Sequence, residues 1–372
     1  MKDFASKLLE WHKQFGRSGL PWQNQKDPYR VWLSEIMLQQ TQVATVKDRY
    51  VEFLDKFPNV EKLANASEDE VMKLWAGMGY YTRARNLHAC AKIILQKHNG
   101  VFPNNSASLN ELPGIGRSTA AAIASFCFGE QVSILDANVK RLLTRILGLE
   151  FSFKSKKSQD ELWLKANELV PQNSKDMPIY TQALMDFGAT FCTPKNPKCS
   201  ICVFQKECIA FQKDKVHLIP FKEKKVDVKS VQSEMLFIRT KDKLLLQLRP
   251  SKGIWGGLWC LPESQWCDAS NTEIKTLELG VEQYSELPIE VLREPYQTST
   301  LLKPRKHVFT HRVLYFQVRV IVLKEIIEIK NDKFQWVNFA ELNNIGMPTP
   351  VKNLLDDYAS FSSLNDIVLD DA

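Results

Sequence analysis

LPGIGRSTAAAIASFCFGEQVSILDANVKR, residues 112–141, is the stretch that decides how this chain is read. Leu112-Pro113-Gly114-Ile115-Gly116 interrupts a helical pattern, and the alanine-rich run that begins at Arg117 resumes one. Glycines at 114 and 116 tolerate positive φ and put no side chain in the way. A hairpin there presents backbone N–H groups at the start of the next helix, which is a seat for phosphate. Ile134 and Leu135 then lead to Asp136, with Asn138 two residues on, before another helix. Alone, a PGIG turn is usually a helix connector and an Asp before a helix usually an N-cap. Together they place a carboxylate beside a phosphate-gripping hairpin, which points to chemistry on nucleic acid.

The chain has 372 residues, 44% of them hydrophobic, enough for two or three globular domains. No run of about 18 apolar residues occurs, and MKDFASKLLEWHKQF at the amino terminus reads as an amphipathic helix and not as a signal peptide. Lys plus Arg number 49 against 43 Asp plus Glu, a net charge of +6 that fits a polyanionic partner without demanding one. Eight cysteines, four of them bunched and Cys90, Cys127, Cys260 and Cys267 scattered, do not describe a secreted disulfide scaffold. The expectation is a reducing, cytoplasmic setting, at the nucleoid if the cell is bacterial, with no membrane partner and a monomeric chain.

Residues 1–214 are helical in pattern, with apolar residues spaced by three and four, as in Leu8, Leu9, Trp11 and Phe15. Pro28 opens a helix that is apolar at most positions, and Glu35 sits in its middle on the face of Trp32 and Ile36. A carboxylate in such a helix is costly when ionised, so it is either paired or shifted upward and used as an acid. Gln39-Gln40-Thr41-Gln42 follows, amides and a hydroxyl able to bond base edges. Gly77-Met78-Gly79-Tyr80-Tyr81, with Arg83 and Arg85 next, offers aromatics to stack on bases and cations for phosphates. Cys192, Cys199, Cys202 and Cys208 follow a C-x6-C-x2-C-x5-C pattern, compact enough for one site. The spacing leaves both tetrahedral zinc and a [4Fe–4S] cluster open.

Residues 215–231 are lysine-rich and read as a linker, a place for contacts with other repair proteins. Beyond it the apolar period becomes two, most clearly at Leu314, Phe316, Val318, Val320 and Val322. This predicts an α+β domain over residues 232–358 and a frayed tail over 359–372.

These motifs, in this order, resemble the helix-hairpin-helix DNA glycosylases and, within them, the adenine DNA glycosylases of the MutY type. The matching stretches are PYRVWLSEIMLQQTQV, GMGYYTRARNLH, LPGIGRSTA, ILDANVKR and the cysteine loop. The resemblance implies a multidomain chain. Residues 1–214 form an all-α catalytic region, with a six-helix barrel module over about 28–135 and an iron–sulfur module from 1–27 and 136–214. A Nudix-like domain follows the linker. It implies [4Fe–4S] in place of zinc on the four cysteines, and double-stranded DNA carrying adenine opposite 8-oxoguanine or guanine as the partner. Glu35 matches the general acid, Asp136 the carboxylate facing the sugar and Asn138 an accompanying polar residue. Gln40 and Tyr80 match residues inserted around the oxidised guanine. With them, Thr41, Arg83, Arg85 and the hairpin residues Leu112, Gly114 and Gly116 make up the expected DNA surface.

Lyase relatives carry a Schiff-base lysine two residues past the second hairpin glycine, where this chain has Ser118, so the resemblance implies monofunctional excision. Phe309-Thr310-His311 matches the 8-oxoguanine-reading loop, with threonine where serine is usual. GIWGGLWCLPE resembles the start of a Nudix signature, yet no paired glutamates follow Glu263, so pyrophosphate cleavage is not expected. Two other readings stay in view: a pyrimidine-specific glycosylase of the same superfamily, and a non-catalytic DNA-binding iron–sulfur protein.

Overall fold

A computed structural model describes residues 3–150, 155–221, 228–269, 284, 287, 298–309 and 311–360. Two compact units divide the chain, Met1–Ser67 with Arg83–Lys224 and Glu68–Thr82 with Lys225–Ala372. Helices α1 (Phe4–Phe15), α2 (Pro28–Leu38), α3 (Val43–Lys56) and α4 (Val60–Asn65) open the first unit. After α5 (Glu68–Trp75), which clusters with the second unit, come α6 (Thr82–His98), α7 (Ser106–Leu109), α8 (Arg117–Phe128) and α9 (Ala137–Leu147). Helices α10 (Lys156–Asn167), α11 (Met177–Asp186) and α12 (Ile209–Gln212) complete it, α11 running on into a π-helical turn at Phe187–Phe191.

Short polar side chains cap the starts of α2, α4, α7, α9 and α10. Pro28 lies in the first turn of α2, and the Asp27 carboxylate accepts from the Tyr29 N–H at 2.9 Å. Helix α2 packs on α3 and α8. The α8 face is a run of fully buried alanines at 120, 121, 122 and 124, small enough to let neighbouring helices approach closely. Leu8 and Trp11 of α1 share a core with Leu143, Leu162, Tyr180 and Phe187, so the amino-terminal helix lies along α11. The Asp186 carboxylate at the end of α11 is inaccessible to solvent and takes hydrogen bonds from the backbone N–H and Nε of Arg17, at 2.9 and 2.8 Å. Burial alone would raise this carboxyl, but His12, Arg17 and Gln182 outweigh it and hold the group below the usual range.

The stretch expected as a linker starts out packed. Ile219 is buried in the first unit's core, its carbonyl accepts from Arg145 Nε at 2.8 Å, and Lys215 Nζ reaches Glu150 at 2.6 Å. Its far end, Lys229 onward, is already strand. An interior arginine that takes up backbone carbonyls explains the packing, and composition gives no sign of it.

The second unit holds a mixed sheet of β1 (Lys229–Arg239), β2 (Lys243–Leu248), β3 (Trp259–Cys260), β4 (Cys267–Asp268), β5 (Thr298–Leu301), β6 (Arg305–Val308), β7 (Arg312–Val322) and β8 (Phe334–Asn338). The main path runs β3-β2-β1-β7-β5, with β4 on β1, β6 on β7 and β8 on β2. Among the described strands only β1 and β7 pair in parallel, from Lys229 opposite Arg312 to Arg239 opposite Val322. Alternation in β7 buries Leu314, Phe316 and Val318, as the period of two predicts. Helix α13 (Thr349–Ser360) follows, so the first two residues of the expected tail are helical and the rest lie outside the described residues.

Candidate active site

The hairpin is built as its glycines require. Leu112 and Ile115 are buried anchors, and Gly114 has φ +76°, where a Cβ would also come within 2.7 Å of the Asn86 Cβ. Gly116 is the N-cap of α8 and has no side chain to offer the N–H groups of the first turn. The start of this 12-residue helix can thus receive an outside acceptor. Ser118 lies inside this turn with its Oγ accepting from the Leu135 N–H at 3.1 Å. The hydroxyl thus fastens α8 to the segment that delivers Asp136.

Asp136 caps α9, its Oδ1 accepting from the Val139 N–H at 2.7 Å and its Oδ2 from Asn138 Nδ2 at 3.3 Å. Asn138 Oδ1 in turn accepts from Arg141 Nη2 at 3.0 Å, and Arg141 Nε donates to the Cys192 carbonyl at 2.8 Å. A polar chain therefore joins the expected sugar-facing carboxylate to the first cysteine of the loop. Arg145, one turn on, donates to the Thr193 and Pro194 carbonyls at 2.7 and 3.2 Å and lies 3.5 Å from the Cys192 sulfur. The sequence reading passed over both arginines. Their signal was a pair of cations four apart on the inner face of the strongly amphipathic helix α9.

Glu35, in the third turn of α2, keeps part of its surface open to solvent while protein crowds it from all sides. That crowding, with the like charge of Asp136 as a smaller contribution, pushes its carboxyl up to about 8. The two acids drawn from sequence are thus close enough to feel each other. One is poised to carry a proton near neutrality, and the other is held by hydrogen bonds that suit a carboxylate.

Five expected DNA contacts have more specific positions. Arg83 turns inward, donating to the Ile36 and Met37 carbonyls at 2.8 and 2.9 Å and to Thr41 Oγ1 at 2.9 Å. It satisfies carbonyls at the C-terminal end of α2, and with it the Thr41 hydroxyl is engaged inside the protein. This differs from the expectation of a phosphate contact, because orphan carbonyls at a helix end compete for the same guanidinium. Gln40 and Tyr80, by contrast, are exposed, and each stands in the left-handed region, at φ +55° and +49°. Arg85 is half-buried. Strain of about 1 kcal/mol or more at a non-glycine residue persists only where the surroundings impose it.

In the second unit Phe309 follows β6 and packs against Trp255 and His307, with ring centroids 5.3 and 4.6 Å away. His311 is exposed, and Thr310 lies outside the described residues.

The cysteines Cys192, Cys199, Cys202 and Cys208 all line one small cavity with Leu142, Ile146 and Phe191. Among the described residues no three His, Cys, Asp or Glu side chains converge as the ligands of a single ion would. Four cysteines lining one cavity form a donor set that fits a cluster held by four thiolates. Burial pushes the Cys202 thiol up to about 12, so a bound group would have to displace its proton.

With this geometry in place, comparison with known proteins is decisive. A family model described as HhH-GPD superfamily base excision DNA repair protein matches residues 33–171, and a NUDIX domain model matches residues 234–357. An adenine DNA glycosylase of Buchnera aphidicola subsp. Baizongia pistaciae is 36% identical over 369 residues, 97% of this chain and 98% of the relative. The chain belongs to the adenine DNA glycosylase family. The human adenine DNA glycosylase is 30% identical over 95% of this chain and 74% of its own length. Among solved structures, a thermostable thymine-DNA glycosylase matches with 30% identity and a TM-score of 0.52, covering 57% of this chain and 96% of its own. The family's fold class, a helical helix-hairpin-helix region followed by a Nudix domain, is the one found here. Among the described residues no helix is long and apolar enough to cross a membrane.

Proposed function

We propose that this protein excises adenine from DNA by hydrolysing its N-glycosidic bond, leaving an abasic site, with adenine opposite 8-oxoguanine as the preferred substrate and adenine opposite guanine as a second one. The observation that carries the reading is Glu35, a carboxyl that burial, with Asp136 nearby as a smaller contribution, raises to about 8. Departure of the base requires a proton, and the sugar becomes oxocarbenium-like as it leaves. Two carboxylates in unlike environments supply both needs. Glu35 donates to adenine N7. Asp136, oriented by Val139 N–H and Asn138, stabilises the cationic sugar with or without a transient adduct. Water completes hydrolysis, with Glu35 as its base.

Adenine leaves the stack first, at a cost of a few kcal/mol. The uncapped start of α8 grips phosphate, while exposed Gln40 and Tyr80 enter the duplex around the oxidised guanine. Phe309, Thr310 and His311 read that guanine. Ser118 offers no amine for a Schiff base, so borohydride traps no stoichiometric adduct.

Cys192, Cys199, Cys202 and Cys208 hold a [4Fe–4S] cluster, whose thiolate bonds would brace the loop that Arg141 and Arg145 tie to α9. Iron and inorganic sulfide analysis of the purified protein checks this, and zinc in their place would overturn it.

The deciding experiment is single-turnover reaction with duplexes carrying A opposite 8-oxoguanine, G, C and T, with the released base identified by mass. Adenine released fastest opposite 8-oxoguanine supports the proposal. Release of thymine, the base in the solved relative's name, or of no base at all, would replace it with the pyrimidine-specific or the non-catalytic reading.

A further inference from the structure

Behind Phe309 the second unit contains a tethered aromatic bracket whose parts come from segments well apart in sequence. Trp255 and Trp266 meet edge to face at 5.7 Å, and the Phe309 ring lies 5.3 Å from the first and 6.1 Å from the second. The Arg249 guanidinium sits 5.5 Å from the centre of each indole. Arg249 is also ion-paired with Glu263, both side chains only 14% exposed, and the other Glu263 oxygen accepts from the Trp266 indole N–H at 3.2 Å.

Packing alone does not explain such tethering. Arg249, Glu263 and Trp266 also line a cavity of about 270 Å³ that extends to Gln247 and Leu261. An indole with open space on one side is free to turn unless something fixes its plane. The N–H bond to Glu263 and the cation shared by both rings supply that constraint. Trp255 itself is held at φ +55°, a conformation an L-residue adopts only when its surroundings impose it.

We infer that Arg249, Glu263 and Trp266, with Trp255, form a positioning set that fixes Phe309 and thereby sharpens the preference for 8-oxoguanine over guanine opposite the adenine. The inference rests on the proposed reading of the oxidised guanine by Phe309, Thr310 and His311. Glu263 matches the first glutamate of a Nudix signature, and here one oxygen of its carboxylate is engaged by an arginine and the other by an indole. The acid of a hydrolase signature thus serves as a clamp for a recognition ring.

The test is the ratio of single-turnover rate constants, A opposite 8-oxoguanine over A opposite G, in the full-length protein. Trp266→Phe keeps an aromatic ring and removes the indole N–H, and the ratio should fall about threefold to tenfold, the scale of one aromatic pair. Arg249→Lys keeps the cation for Glu263 but loses the planar group facing both rings, and should lower the ratio in the same direction by less. It supplies the answer if Trp266→Phe does not fold. Trp336→Phe is the control: it deletes another indole hydrogen bond of the same unit, to the Ile327 carbonyl at 3.0 Å, and should leave the ratio at its original value. Phe309→Ala separates the two levels of the proposal. If it loses the ratio while Trp266→Phe and Arg249→Lys keep it, the bracket is wrong and the reading loop stands. If Phe309→Ala keeps the ratio, the reading loop itself falls. An equal loss in Trp336→Phe would assign the effect to general loosening and overturn the bracket.

Discussion

Glu35 and Glu263 are both glutamates crowded by protein, one in each unit, and the charges beside them are of opposite sign. Around Glu35 burial raises the carboxyl, and the leading charge it meets, Asp136, raises it further, to about 8. Burial raises Glu263 as well, and Arg249 and the Trp266 N–H pull against that rise without cancelling it. A crowded acid given a fixed cation and a fixed donor has its proton position settled and serves as structure. A crowded acid facing only another acid holds its proton loosely near neutral pH, which is what a general acid requires.

The largest expected effect follows at once. Glu35→Gln should lower single-turnover adenine release by about 10²–10⁴-fold, the usual worth of general-acid help, while binding to the mispaired duplex persists. In the parent protein the rate should decline as pH rises through about 8, where Glu35 loses its proton, and the variant should lack that alkaline limb. Full single-turnover activity in Glu35→Gln would remove the distinction between the two glutamates.

Asp136→Asn probes the other half of the pair. Asparagine caps a helix about as well as aspartate, so the bond from the Val139 N–H survives and thermal stability should stay within about 0.5 kcal/mol of the parent. The negative charge facing the sugar is lost, and the rate should fall about 10²–10³-fold, the scale of removing one preorganised electrostatic group. A rate loss matched by a large fall in Tm would mean that the residue serves only the helix.

How far these features were legible in sequence depends on how local their causes are. The hairpin, Asp136 and the cysteine spacing are each written within about thirty residues, and Glu35 announces itself by interrupting an apolar helix face. Strand periodicity in β7 was equally plain. Arg83 was not, because its choice between phosphate and the carbonyls ending α2 depends on a helix that folds against it. Ser118 was read for what it lacks, an amine, and its bond to the Leu135 N–H could not be seen until the two segments met. The parallel pairing of β1 with β7 and the bracket behind Phe309 likewise join residues far apart in the chain, which no local period records.

On the structural side of the comparison, Glu263→Gln leaves Arg249 buried without its charge partner. The second unit should lose about 3 kcal/mol of unfolding stability, the usual result of breaking a buried ion pair from one side. Thermal or denaturant unfolding measures this, and an unchanged transition would mean that Arg249 finds another acceptor.

The pH dependence of stability is the most discriminating effect, because its sign is opposite. In the unfolded chain Glu35 titrates near the ordinary value of 4.5, whereas in the fold it does so at about 8. Between those values the folded protein holds a proton that the unfolded chain has released, so stability falls as pH rises and the loss is complete above the folded value. A neutral glutamine at 35 escapes this penalty. Glu35→Gln should therefore match the parent's Tm at about pH 5 and exceed it at about pH 8.5, where Glu263→Gln remains below the parent. A parent protein stabilised by its charged Glu35 at alkaline pH would show the reverse order, and Glu35 would then be a paired structural acid like Glu263.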